Sequence, residues 1–240
     1  MNLTIDLGNT LCKIIIFDDN VIVYRHICKS LSTRSLHQLF QNFQIKHSLI
    51  SSVIPLKPLL KKTLKKYGIR EFSSTTKIPI KNLYTTPKTL GKDRLANGIA
   101  GAFLFPKQNV LVIDAGTCIK YDFVDSRKHY KGGNISPGLS MRFIAMHKLT
   151  GKLPLVEIND PRKLIGTSTV TAIQSGVFNG MIEEIKGIIA LYKNEYPKVK
   201  VILTGGDAHR FAGQLNLSIF AASDLVNIGL NEIIKYNNYK

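Results

Sequence analysis

The chain has 240 residues, with 33 Lys and Arg against 16 Asp and Glu, a formal net charge of +17 and a hydrophobic fraction of 44%. That is more than a minimal single core needs and comfortable for two lobes of ordinary size. No run approaches the ~18 apolar residues of a membrane span and no basic-then-apolar leader precedes the first strand pattern, so a cytoplasmic protein without a membrane partner is expected.

In chain order, residues 2–7, 12–17 and 20–27 read as strands, with Ile5-Asp6-Leu7-Gly8-Asn9-Thr10 at the first turn. A helix near 34–44, a strand at 48–53, a helix near 56–67 and a short strand near 69–72 follow. The second of these helices holds the dense basic stretch Lys57 to Lys66, where Leu56, Leu59, Leu60 and Leu64 keep roughly helical spacing; a solvated helix face is expected. A loop rich in Thr, Pro and Lys, residues 74–90, leads to Gly91-Lys92-Asp93-Arg94. The pattern Leu95, Ala96, Ile99, Ala100, Phe103 is helical and puts Asp93 in a first helical turn.

The second half restarts this scheme. Strands near 109–114 and 118–125 flank Ile113-Asp114-Ala115-Gly116-Thr117, then come a Gly-Gly-Asn-Ile-Ser-Pro-Gly stretch at 132–138 and a helix near 139–149. A helical region from about Thr169 to Tyr192, a strand at 199–204 ending in Gly205-Gly206-Asp207, and a last helix near 223–235 complete the chain. Strands alternating with helices give an α/β protein, and the hairpins make its sheets mixed rather than purely parallel. Lobes at 1–106 and 107–240 are expected.

The recurrence of an acidic, glycine-bearing hairpin at the start of each half is the most informative feature. Asp, Asn, Gly and Thr are common turn formers, and either hairpin alone would be ordinary turn chemistry. Two copies point to phosphate: glycine lets backbone N–H groups approach an anion, Asn or Thr adds a neutral donor, and a carboxylate tolerates a polyphosphate when a cation lies between them. The chain has neither a Gly-x-x-x-x-Gly-Lys-Ser/Thr loop nor a Gly-x-Gly-x-x-Gly fingerprint, which excludes a Walker ATPase and a dinucleotide-binding Rossmann enzyme. Cys12, Cys28 and Cys118 have no metal-ligand spacing and form no disulfide framework by count; Cys12 and Cys118 read as strand-packing residues. The net charge admits nucleic-acid binding, but the lysines are scattered and no aromatic–arginine pattern accompanies them, so attraction of small anionic substrates is the preferred meaning and no nucleic-acid partner is expected.

Duplicated lobes opening on such hairpins, with Thr204-Gly205-Gly206 after a strand as an adenosine motif, resemble the actin, sugar kinase and Hsp70 ATPase superfamily. Within it, Asp6-x-Gly-Asn-Thr-x-x-Lys13, Gly91-x-Asp-Arg94, Asp114-x-Gly-Thr117, Gly132-Gly133 with Pro137-Gly138, and Thr169 to Gly176 resemble type III pantothenate kinase across essentially the whole chain. The resemblance implies two ribonuclease H-like lobes with an ATP cleft between them, and ATP-dependent phosphorylation of the primary hydroxyl of pantothenate, the first step towards coenzyme A.

It also implies roles. Asp93 matches the general base, with helix capping as its plain alternative, and a carboxylate beside an alcohol is the group that chemistry needs. Arg94 would partner the pantothenate carboxylate or the transferring phosphate, since a guanidinium binds oxyanions bidentately. Asp6 would hold hydrated magnesium, while the run Asp6, Leu7, Gly8, Asn9, Thr10, Leu11, Cys12 and Lys13 forms the first ATP-phosphate hairpin and Thr117 meets ATP from the second. Asp114 matches a monovalent cation ligand, for potassium or ammonium. Tyr84, Gly91 and Lys92 would line the pantothenate pocket with Asp93 and Arg94, and Thr169 would reach it from a neighbouring subunit, making the active site shared in a homodimer. Ile173, Val177, Met181, Ile185 and Ile188 form an apolar stripe on the long helix, which serves either that interface or the helix's own lobe.

One position departs from the family: Lys120 stands where the second hairpin usually carries threonine. Either its ammonium takes over part of the monovalent ion's charge and weakens potassium dependence, or it points away. The rival readings of the whole chain are a regulatory relative without turnover, a kinase of another alcohol in the same superfamily, and a nucleic-acid-binding module.

Overall fold

The computed structural model describes residues 1–159, 163–215 and 219–238. The chain forms two compact units: Met1–Lys107 with Val124–Gly132 and Asp224–Lys240, and Gln108–Phe123 with Gly133–Ser223. The last helix of the chain therefore groups with the first unit, so chain order and spatial grouping differ.

The first unit is built on the strands β1 (Asn2–Leu7), β2 (Cys12–Asp18), β3 (Val21–Cys28), β4 (His47–Ser52) and β5 (Arg70–Glu71), in the order β3-β2-β1-β4-β5. β2 runs antiparallel to β1 and β3, whereas β4 is parallel to β1 and β5, which makes the sheet mixed. Alternation sends Leu3, Ile5 and Leu7 into one core with Leu36 and Leu39 of α1 (Thr33–Asn42) and Leu64 of α2 (Pro58–Lys66). Ser32 caps α1 by accepting from the Ser35 N–H at 3.0 Å, and Pro58 starts α2, where its missing N–H costs nothing. Leu56, just before α2, and Leu64 within it are buried as their spacing predicts, but Leu59 is exposed with the lysines.

The opposite face of this sheet meets α7 (Leu225–Asn238), which also packs on α3 (Lys92–Leu104). Small residues allow the two helices to touch. A Cβ at Gly229 would lie 2.0 Å from the Ala96 carbonyl oxygen, and one at Gly98 would lie 2.8 Å from the Tyr130 ring. Leu95, Ile99, Val124, Tyr130, Leu230 and Ile233 fill the core around them. A two-residue strand, β6 (Lys81–Asn82), pairs in parallel with residues 129 and 130 at the start of β9 (His129–Pro137).

In the second unit β7 (Val110–Ala115), β8 (Cys118–Val124), β10 (Lys200–Thr204), β11 (Phe220–Ala221) and the later part of β9 follow the order β11-β10-β7-β8-β9. β10 is parallel to both β7 and β11. Against this sheet lie α4 (Leu139–Leu149), α5 (Thr169–Glu195) and the short α6 (Ala208–Ala212), with Leu111, Ile113, Ile119, Tyr121, Phe143, Phe178 and Phe211 in one apolar core.

The α/β class and mixed sheets match the sequence expectation, and most elements start within two residues of where periodicity puts them. Four elements were not anticipated. β6 and β11 have two residues each and α6 has five, too short to carry a period. The Gly-rich segment 132–138 carries no strand period, and glycine and proline are poor strand formers, yet most of it is the end of β9. Gly133 explains the exception: its φ is +153°, and a Cβ there would sit 1.7 Å from the Tyr121 carbonyl oxygen.

Candidate active site

The first hairpin lies at the β1–β2 end of the first unit. Its turn is closed by the Gly8 N–H donating to the Leu11 carbonyl at 3.0 Å, which leaves Asn9, Thr10 and Leu11 exposed at the tip. Asp6 and Lys13 are direct partners in the antiparallel register, so a carboxylate and an ammonium-bearing residue stand opposite each other at the base of the turn. Leu7 and Cys12, the next pair, are buried and belong to the core; of that expected phosphate run they offer backbone only. Burial pushes the Cys12 thiol well above its ordinary range, reinforced by neighbouring Cys28, so it is a packing residue and not a nucleophile. Asn227 of α7 underlies the hairpin. Its Nδ2 donates to Thr4 Oγ1 at 3.0 Å, to the Thr4 carbonyl at 3.2 Å and to the Lys13 carbonyl at 3.4 Å.

Elsewhere in that unit, Gly91 is the N-cap of α3 and Asp93 lies in its first turn. A Cβ on Gly91 would fall 2.6 Å from Asp93 Oδ1, so the glycine leaves the space in which the carboxylate stands. Arg94 is buried and its guanidinium lies 5.7 Å from the centre of the Tyr84 ring, within cation–π range. Tyr84 is held in turn by Tyr130, with ring centres 6.3 Å apart, and by Gly132, where a Cβ would come within 3.0 Å of the Tyr84 ring. Lys92 Nζ donates to the Leu90 carbonyl at 3.3 Å. Tyr84, Gly91, Asp93 and Arg94 thus form one neighbourhood, joined from a distant stretch of chain by Tyr130 and by Gly132, whose φ is +103° where it backs the tyrosine.

In the second unit the hairpin turn is tighter, closed by the Gly116 N–H donating to the Cys118 carbonyl at 3.2 Å. Two further glycines press on it. A Cβ at Gly138 would sit 2.3 Å from the carbonyl oxygens of Gly116 and Thr117, and one at Gly205 2.4 Å from that of Ala115. Gly205 has φ +99°, and the Asp207 N–H donates to the Ala115 carbonyl at 2.9 Å. The phosphate hairpin, the Pro137-Gly138 turn and the Gly205-Gly206 turn therefore converge. Asp114 is 8% exposed, and Lys120 Nζ lies 2.8 Å from its Oδ2.

The long helix α5 is capped by Ser168: Ser168 Oγ accepts from the Thr171 N–H at 3.3 Å and Thr171 Oγ1 accepts from the Ser168 N–H at 3.0 Å, a capping box that leaves Thr169 exposed at the first helical position. Of the stripe, Ile173, Val177, Met181 and Ile185 are buried in the core of their own unit and Ile188 packs partly buried against it.

Sequence reasoning missed Asn227 and Glu184. Glu184 accepts from the Tyr121 hydroxyl at 3.0 Å and the Ser136 hydroxyl at 3.3 Å, and pairs with Arg142. Arg142 Nε donates to the Pro137 carbonyl at 2.9 Å, which ties α5 to the Pro137-Gly138 turn. Burial, then the Glu184 charge, pushes the Tyr121 hydroxyl above its usual range, so it stays a donor. Nothing local in the sequence marks either residue, because each acts across more than forty residues of chain.

Among the described residues no group of three or more His, Cys, Asp or Glu gathers to hold a metal, and no helix is long and apolar enough to cross a membrane. A family model described as type III pantothenate kinase matches residues 2–191. A type III pantothenate kinase of Bacteroides fragilis is 44% identical over 240 residues, spanning 99% of each chain. Among solved structures, a Campylobacter jejuni protein named for the Baf family of transcriptional activators has a TM-score of 0.63 at 21% identity, over 99% of this chain and 100% of that one. An inorganic polyphosphate/ATP-glucomannokinase of Arthrobacter sp. has a TM-score of 0.52 at 13% identity, over 98% of each chain. At these identities the two structures show a fold shared with this chain and nothing more.

Proposed function

The chain belongs to the type III pantothenate kinase family, and from that premise we propose how its own residues carry out the ATP-dependent phosphorylation of pantothenate that opens coenzyme A biosynthesis. The observation that carries the reading is the cluster at the start of α3, where an aspartate has its own space beside a glycine cap and is followed by a buried arginine stacked on a tyrosine.

An alcohol is a weak nucleophile, and phosphoryl transfer asks the protein for positioning and charge stabilisation more than for covalent chemistry. Asp93 accepts the proton of the pantothenate primary hydroxyl as that oxygen bonds to the γ-phosphorus of ATP; the bond from phosphorus to the β–γ bridging oxygen breaks and ADP leaves. Arg94, its plane fixed by Tyr84, binds an oxyanion, either the pantothenate carboxylate or the phosphoryl group in transit. Tyr84, Gly91 and Lys92 line the same pocket.

Gly8, Asn9, Thr10 and Lys13 contact the ATP phosphates, with Leu7, Leu11 and Cys12 supplying backbone. Asp6 offers one carboxylate, which suits magnesium that keeps most of its water and is shared with phosphates. Bound there, magnesium would offset the charge of the β and γ phosphates. Thr117 meets ATP at the second hairpin, and the Gly205-Gly206 backbone accepts the adenosine.

Asp114 is the position that the family resemblance gives to potassium or ammonium. Its carboxylate already carries the Lys120 ammonium, so the donor set does not suit a further bound cation and no step is routed through one. Thr169 is proposed to reach the pantothenate pocket of a partner copy. Leu164, Ile165 and Val170, exposed around the α5 N-terminus, give that contact an apolar surface. The cytoplasm, where ATP is made and spent, is the proposed compartment.

Release of ADP that depends on added pantothenate tests this reading; release that ignores pantothenate overturns the substrate.

A further inference from the structure

We propose that the Lys120 side chain is a built-in monovalent cation, which makes nucleotide binding by this chain independent of potassium. The inference rests on the reading that the second hairpin meets ATP.

Along β7 and β8 the residues Ile113, Ala115, Ile119 and Tyr121 turn into the core of the second unit, and alternation puts Asp114 and Lys120 on the other face of the sheet. There Lys120 Nζ stands 2.8 Å from Asp114 Oδ2, with the two side chains only 16% and 11% exposed. The other carboxylate oxygen, Oδ1, lies against the turns assigned to the nucleotide. A Cβ on Gly205 would be 2.6 Å from it and one on Gly116 3.4 Å. The carboxylate thus joins the two glycine turns on one side to an ammonium on the other.

A bare carboxylate at that point repels a polyphosphate, and a cation of single charge removes the repulsion. Potassium and an ammonium group carry the same charge. The ammonium has three N–H donors, is fixed to the strand, and is present at an effective concentration that no added salt changes. A potassium ion approaching Asp114 would meet the ammonium at contact range and be repelled by it. A lysine and an aspartate this buried form a pair from which removing the ammonium takes away a compensating charge. Lys120→Thr therefore opens the place beside the carboxylate to an ion from solution.

The test is calorimetric titration of the full chain with ATP and magnesium in potassium chloride and in choline chloride at equal ionic strength. The wild-type Kd is expected to be the same in both salts within about twofold, a difference of ~0.4 kcal/mol. For Lys120→Thr, shown to be folded by its melting transition, affinity in choline chloride is expected to fall by about tenfold or more and to return with potassium or ammonium. A wild-type protein that loses about tenfold in affinity when choline replaces potassium overturns the proposal, and this comparison stands even if the variant does not fold. A folded variant indifferent to potassium also overturns it. Salt-independent ATP binding without pantothenate turnover would refute the substrate reading and leave this inference in place, whereas no ATP binding in either salt refutes both.

Discussion

Asn227 of α7 donates from Nδ2 to both the carbonyl and the hydroxyl of Thr4, two residues before Asp6 on β1. The side chain is fully buried. Asn227→Ala would leave the Thr4 carbonyl and hydroxyl short of a buried donor, at a cost of ~1–3 kcal/mol. The expected outcome is a lower urea midpoint with unchanged slope, together with weaker ATP binding because the hairpin is less well held.

Gly229 packs on the backbone of Ala96, where helices α3 and α7 meet. Adding one methyl group forces the helices apart, so Gly229→Ala should destabilise by ~1–3 kcal/mol even though alanine is the better helix former. Thermal melting reads this directly. A melting temperature equal to or above wild type would show that the crossing relaxes freely.

Arg94 is buried over the Tyr84 ring, where lysine cannot reproduce a planar, bidentate donor. Arg94→Lys should raise KM for pantothenate by about tenfold or more, the scale of one lost charge-assisted hydrogen bond, with KM for ATP unchanged. Steady-state kinetics with each substrate varied separates the two.

Asp125 gives a pH signature. Burial on its own would raise its pKa, but the backbone N–H groups of His129 at 2.9 Å and Arg127 at 3.0 Å, with the His129 ring beside them, outweigh burial and hold it below the ordinary carboxylate value. Because the folded pKa lies below the unfolded one, the carboxylate contributes stability above the ordinary aspartate range, and that contribution is lost as pH falls through the folded value. Asp125→Ala should therefore lose ~1–3 kcal/mol at neutral pH, and the difference should shrink as pH falls below the ordinary aspartate range. Urea unfolding of both proteins at neutral pH and along an acid series checks the convergence.

The parts of this fold that were legible in the sequence are those with a period or a repeat. Hairpin signatures located Asp6 and Asp114, and the apolar pattern after Gly91 put Asp93 in a first helical turn, where it stands. The glycines were visible as motif pieces, but their reasons were not, as with Gly132, which backs Tyr84. Gly138 meets the carbonyls of residues 116 and 117 and Gly205 that of Ala115, contacts between distant segments which no local pattern encodes. The same holds for Asn227 and Glu184, ordinary polar residues on amphipathic helices until the fold aims them. Lys120 was legible only as a departure, and its direction is decided by the pleat of β8.

The central claim is that Asp93 deprotonates pantothenate. It is tested by ADP release from ATP and magnesium with and without pantothenate, for wild type and for Asp93→Asn, an uncharged isostere that keeps the space beside Gly91. Loss of a general base is expected to lower kcat by about a hundredfold to ten-thousandfold while ATP affinity is retained. An Asp93→Asn enzyme with wild-type kcat, or wild-type ADP release that does not require pantothenate, would contradict the account.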